Sequence, residues 1–89
     1  MSDKNKQLII DDYPDLNFIF YDEFNDCIVG VVEKFGVELC VCYDKEKVIN
    51  KLVADGMSVD EAFEYFEFNI IGAYVGEHTP SFINLISKP

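Results

Sequence analysis

Apolar residues come in short blocks along this chain, and the spacing inside each block shifts from that of a strand to that of a helix and back. LNFIFY, residues 16–21, follows a turn signal at Asp11-Asp12-Tyr13-Pro14-Asp15; its aromatic and branched side chains predict a strand. Residues 22–26 turn the chain. CIVGVVEKFG (27–36) and VELCVCY (37–43) then read as a hairpin closing at Lys34-Phe35-Gly36. On its second strand Val37, Leu39, Val41 and Tyr43 face one way and Glu38, Cys40 and Cys42 the other. Both faces are largely apolar, which places this strand in the middle of a sheet.

The period then becomes helical. Asp44 stands at a helix N-cap, Val48, Ile49, Leu52 and Val53 recur at helical spacing, and Gly56 supplies a left-handed stop. Ser58 and Glu61 make an S-x-x-E capping box, so a second helix starts at Val59 and is expected to run to about Tyr74. Gly76 and Thr79-Pro80 end it before a last strand, SFINLI, residues 81–86. The order β-β-β-α-α-β predicts a small α+β two-layer domain: a mostly antiparallel sheet of three to four strands with two helices on one face. Residues 1–10 are expected to be a loosely ordered N-terminal segment, and residues 11–89 a single domain.

Charge narrows the functional classes. The 89 residues carry a net charge of −10, all cations are Lys, and Arg is absent. Such a chain repels nucleic acid and anionic membranes, which argues against direct nucleic-acid binding and favours basic partners. Three cysteines inside apolar stretches do not form a secreted disulfide framework, and MSDKNKQ lacks the apolar run of a signal peptide. No stretch reaches membrane-span length. The expectation is a soluble cytoplasmic protein.

The second helix carries the candidate surface. At about 100° per residue, Val59, Phe63, Phe66, Ile70 and Tyr74 share a core stripe with Ala62 and Ala73 at its edge. Asp60, Glu64 and Glu67 share a flank, and Tyr65, Phe68 and Gly72 point away from the core. One account of Tyr65 and Phe68 has another segment fold over them; a second makes them anchors of a protein interface. A self-associating face, with Gly72 allowing close helix approach, serves equally well. The carboxylates either keep the protein soluble or, at ~5–6 Å spacing, imitate nucleic-acid phosphates. No Lys lies between Leu52 and Ser87.

Catalytic and metal constellations fare worse. Cys40, Cys42 and His78 lack a fourth zinc ligand, and the thiols read as small core residues. His78 beside Thr79-Pro80 reads as a surface or turn residue, with nothing to place it near a Cys nucleophile. The glycines are scattered rather than gathered in a phosphate loop, and DLNFIFYDE lacks an EF-hand's ligand pattern. The reading is of a non-enzyme with no cofactor, no metal and no catalytic residues.

The run Tyr21-Asp22-Glu23, Gly30, Tyr43-Asp44, Asp55-Gly56-Met57-Ser58, Glu61-Ala62, Glu67-Phe68-Asn69, Gly72-Ala73-Tyr74-Val75-Gly76 and Thr79-Pro80 resembles a family of small uncharacterised proteins of bacteriophages and mobile elements. The resemblance spans roughly residues 21–83 and carries no activity or site residues with it. It implies that Asn69, Gly72 and Gly76 mark helix-end geometry. By class analogy it implies an inhibitor of host defence or of host nucleic-acid enzymes, acting in the host cytoplasm. The expected function is therefore an acidic interaction protein that blocks a basic, nucleic-acid-binding host protein, with Asp60, Glu64 and Glu67 supplying charge and Tyr65 and Phe68 anchoring. The alternative is a homodimeric structural or regulatory module with no mimicry.

Overall fold

A computed structural model describes residues 4–87 as an α+β fold built on a three-stranded sheet. The hairpin forms as its sequence dictates: β1 (Ile28–Lys34) pairs antiparallel with β2 (Val37–Asp44) through a turn at Phe35-Gly36, where Gly36 takes a φ of +79° that favours glycine. Strand β2 is central. Val41 and Tyr43 are buried on one face and Cys40 and Cys42 on the other, which is why both faces read as apolar.

The Asp44 carboxylate caps α1 (Lys45–Ala54) by accepting from the backbone N–H groups of Glu46 at 3.0 Å and Lys47 at 3.4 Å. Helix α1 buries Val48, Ile49 and Leu52 against the sheet before the chain turns at Gly56, φ +120°. Ser58 and Glu61 complete the capping box of α2 (Val59–Tyr65), with Glu61 Oε1 accepting from Ser58 N–H at 2.8 Å and Ser58 Oγ from Glu61 N–H at 3.1 Å. Because the two helices carry the chain back to its starting end of the sheet, β3 (Ser81–Ile83) enters parallel to β2, pairing Tyr43 with Phe82. The sheet is therefore mixed, with one antiparallel and one parallel pair, where the sequence predicts a mostly antiparallel one.

Three local expectations are corrected. Lys4–Asp12 is helical rather than loose; the expectation for residues 1–3 lies outside the described residues. This N-terminal helix buries Ile9 in the core, and its Asn5 side chain donates to the Ile28 carbonyl at 2.8 Å. Residues 16–21 join no strand. The Tyr21 N–H donates to Tyr43 Oη at 2.7 Å instead of a ladder carbonyl, and Tyr21, Tyr43 and Phe82 pack with ring centroids 5.6–6.3 Å apart. Ring packing, not strand pairing, uses that segment's aromatic content.

Helix α2 also ends early. Phe66–Ile70 winds as a π-helical turn closed by Ile71 N–H to the Phe66 carbonyl at 2.9 Å, and Tyr74 falls in the loop beyond it. The buried stripe is Ala62, Phe66 and Ile70, whereas Val59, Phe63 and Tyr74, expected in the core, are exposed. Among the described residues no helix is long and apolar enough to cross a membrane.

Candidate functional site: the outer face of α2 and its π-helical turn

Helix α2 is held from both ends of its argument. The capping box fixes its start, and fully buried Ala62 and Phe66 fix its inner face, Phe66 meeting Phe82 edge-on at 5.0 Å. What remains outside is positioned by that anchoring. Phe68 is 77% exposed, so among the described residues no segment folds over it, while Tyr65, 40% exposed, is partly covered. Phe63, at 45%, adds a third ring to the surface.

Asp60, Glu64 and Glu67 are all exposed. Asp60 and Glu64 have no ion-pair partner among the described residues, but Glu67 Oε2 lies 3.9 Å from Lys45 Nζ. The strip that is free of Lys along the chain is thus not free of Lys in space: α1 brings Lys45 across, with its ammonium 5.1 Å from the Phe66 ring centroid and 5.7 Å from that of Phe63. The free negative charge of this face is concentrated on Asp60, Glu61 and Glu64. Elsewhere Asp22 pairs with Lys6 at 2.7 Å and Asp26 with Lys51 at 3.3 Å, so the N-terminal acidic set is partly neutralised.

Met57, Glu61, Glu64, Tyr65, Phe68 and Asn69 line one open depression along this ridge. Tyr65 and Asn69 also border a second depression, shared with Tyr21, Glu23 and Phe24. The first depression adds Met57, Glu61 and Asn69 to the candidate residues; the sequence alone gives Glu61 to the cap and Asn69 to the helix end. The helical ridge Glu61, Glu64/Tyr65, Phe68/Asn69 is the signal that points to Glu61 and Asn69, whereas Met57 precedes the Ser58 cap and carries no such signal. The Ser58 N–H, and then its hydroxyl, hold the Glu61 carboxyl below the ordinary glutamate range, so its charge is present at neutral pH.

Gly72 has a reason internal to the chain. A Cβ there would stand 3.0 Å from the Glu67 carbonyl oxygen, a backbone atom of the π-helical turn itself. Close approach by a second helix is not needed to account for it.

The cysteine and histidine groups lie apart from this face. Burial pushes the Cys27 thiol up to about 11 and raises that of Cys42, which disfavours thiolates, while Cys40 Sγ sits 3.0 Å from Ser81 Oγ. His78 lies in a turn, as the sequence allows, but half-buried: its ring packs edge-on to Phe18 at 5.8 Å and its Nδ1 lies 2.6 Å from the Leu39 carbonyl. Since a carbonyl only accepts, Nδ1 carries the proton there. His78 therefore straps the loop before β3 to β2. Among the described residues no three His, Cys, Asp or Glu side chains are grouped to hold a metal ion.

What the outer face of α2 can do chemically is offer ring surface and fixed negative charge to a cationic macromolecule. No protein-family model, curated protein or solved structure matches the chain, so that assignment rests on the geometry of the face itself.

Proposed function

We propose that the protein is a non-enzymatic interaction module of phage type that docks the outer face of α2 onto a basic, nucleic-acid-binding host protein and blocks it by occlusion or mimicry. The observation that carries this reading is the exposure of Phe68 beside Glu64, with Asp60 in the first turn of the same helix, both carboxylates without a cationic partner among the described residues, on a helix fastened to the core. Charge attraction speeds encounter, and rings at the centre of the contact supply most of its free energy. Carboxylates one helical turn apart present negative charge at a spacing of ~5–6 Å, close to that of backbone phosphates.

The homodimer reading uses the same rings. Two physical points weigh against it: stacking two such faces brings the Glu64 and Asp60 carboxylates of both copies together, and the tight space at Gly72 beside the Glu67 carbonyl already favours glycine within one copy. Capture from host lysate on immobilised protein, at low and high salt, separates the two when run beside size-exclusion light scattering. The reading expects a basic protein retained at low salt, released at high salt and lost with Phe68→Ser. A dimer dissolved by Phe68→Ser, with no captured protein, transfers support to the homodimer.

A further inference from the structure

We propose that the depression lined by Met57, Glu61, Glu64, Tyr65, Phe68 and Asn69 receives an arginine side chain of the partner and prefers it to lysine. The inference deepens the interaction reading and rests on it. The lining combines an apolar thioether, two ring-bearing side chains, two carboxylates and an amide, and contains no cation. Its complement has an apolar stem and a positive head, which among protein side chains means lysine or arginine.

Three features favour arginine. A guanidinium is planar and weakly hydrated, so it stacks on an exposed ring such as Phe68 or Tyr65 while its edge N–H groups reach a carboxylate; an ammonium must give up tighter hydration for fewer directed bonds. Glu61 is held in place, because one of its carboxylate oxygens already accepts from the Ser58 N–H, leaving the other to accept from a ligand. Glu64 stands three residues on, along the same ridge, with no ion pair among the described residues, so a fork of donors meets two separate acceptors. The chain itself contains no arginine, so neither an internal side chain nor a second copy supplies the preferred occupant. Charge complementarity therefore points outward, to an arginine-bearing segment of another protein.

The test uses two capped peptides of equal charge, hexa-arginine and hexa-lysine, titrated into the 15N-labelled full chain at low salt. The expected result is saturable shifts of the Met57, Glu61, Tyr65, Phe68 and Asn69 amides, with hexa-arginine binding about threefold tighter or more, the size expected for an exposed cation–ring contact. Phe68→Leu, which removes the ring but keeps an apolar side chain, and Glu64→Gln should each erase that preference. Equal affinity for the two peptides overturns the arginine assignment and leaves the interaction reading standing. Shifts that saturate instead around Asp11, Asp12 and Asp15 overturn the groove and leave a basic partner. No saturable shift with either peptide removes both.

Discussion

On the outer face of α2, Phe68 and Tyr65 stand on a helix capped by Ser58 and fixed to the core through Ala62 and Phe66; at the hairpin tip, Phe35 stands fully exposed on a turn made by Gly36, with Val37 and Tyr74 lining a hollow at its base. Ring exposure is as great at the tip as on the helix, so exposure alone does not identify a docking face. Two other properties separate the regions. The helix face is backed by buried side chains, whereas the tip rests on a turn and on the His78 strap to Leu39. Its free charge is of one sign, whereas the hairpin at the tip carries Lys34 together with Glu33 and Glu38. A stiff, singly charged, ring-bearing face can bind a cationic surface with little ordering cost.

The largest way to break this contrast is to remove the foundation of one region. Phe66→Ala should cost about 3–5 kcal/mol, read by urea denaturation, while Phe35→Ala at the tip should stay within about 0.5 kcal/mol. Next comes binding. Phe68→Ser should weaken association with the captured partner by about 2 kcal/mol or more, whereas Phe35→Ser should leave it unchanged by calorimetry.

Ser58→Ala should lower stability by about 1 kcal/mol, a fall of roughly 4–8 °C in Tm for a domain of this size. The same cap has a pH signature. Glu61's carboxyl is depressed in the folded state by the Ser58 N–H and hydroxyl, so its stabilisation is complete above the unfolded value near 4.5 and is lost as pH falls through the lower folded value. Glu61→Gln should therefore melt below the wild type at pH 7 and converge with it in acid. The smallest effect concerns Lys45, the one cation brought against the face among the described residues. Lys45→Gln should cost at most about 1 kcal/mol and, by freeing Glu67, raise the association rate with a basic partner in stopped-flow mixing.

The hairpin, the Asp44 cap, the Ser58 box and the central strand were legible in the sequence because each is specified within a few residues: a glycine at a positive φ, a side-chain oxygen facing free N–H groups, apolar residues on both faces of one strand. What escaped is non-local. The N-terminal helix turns only Ile9 into the core and is secured by Asn5 at the Ile28 carbonyl and Lys6 at Asp22, partners 23 and 16 residues away. Residues 16–21 have strand composition, but their partners are scattered: Tyr21 bonds and packs onto Tyr43 and Phe82, Phe18 packs against Tyr13 and His78, and the Lys6 ammonium lies over Phe20. The outward placement of Tyr65 and Phe68 followed from helical geometry. The exposure of Phe63 did not, because the buried ridge runs through Ala62, Phe66 and Ile70, and the π-helical turn releases the chain before Tyr74 can join it. Lys45's position against Glu67 depends on how α1 packs beside α2, which no spacing within either helix encodes.

The account is tested most directly by placing a photo-crosslinking phenylalanine analogue at position 68 in one sample and at position 35 in another, then irradiating each in host lysate. The account predicts a crosslink from position 68 to a basic, nucleic-acid-binding protein, competed by the unlabelled chain, and none from position 35. Crosslinks from position 68 only to another copy of the chain, or to the partner from position 35 alone, would contradict it.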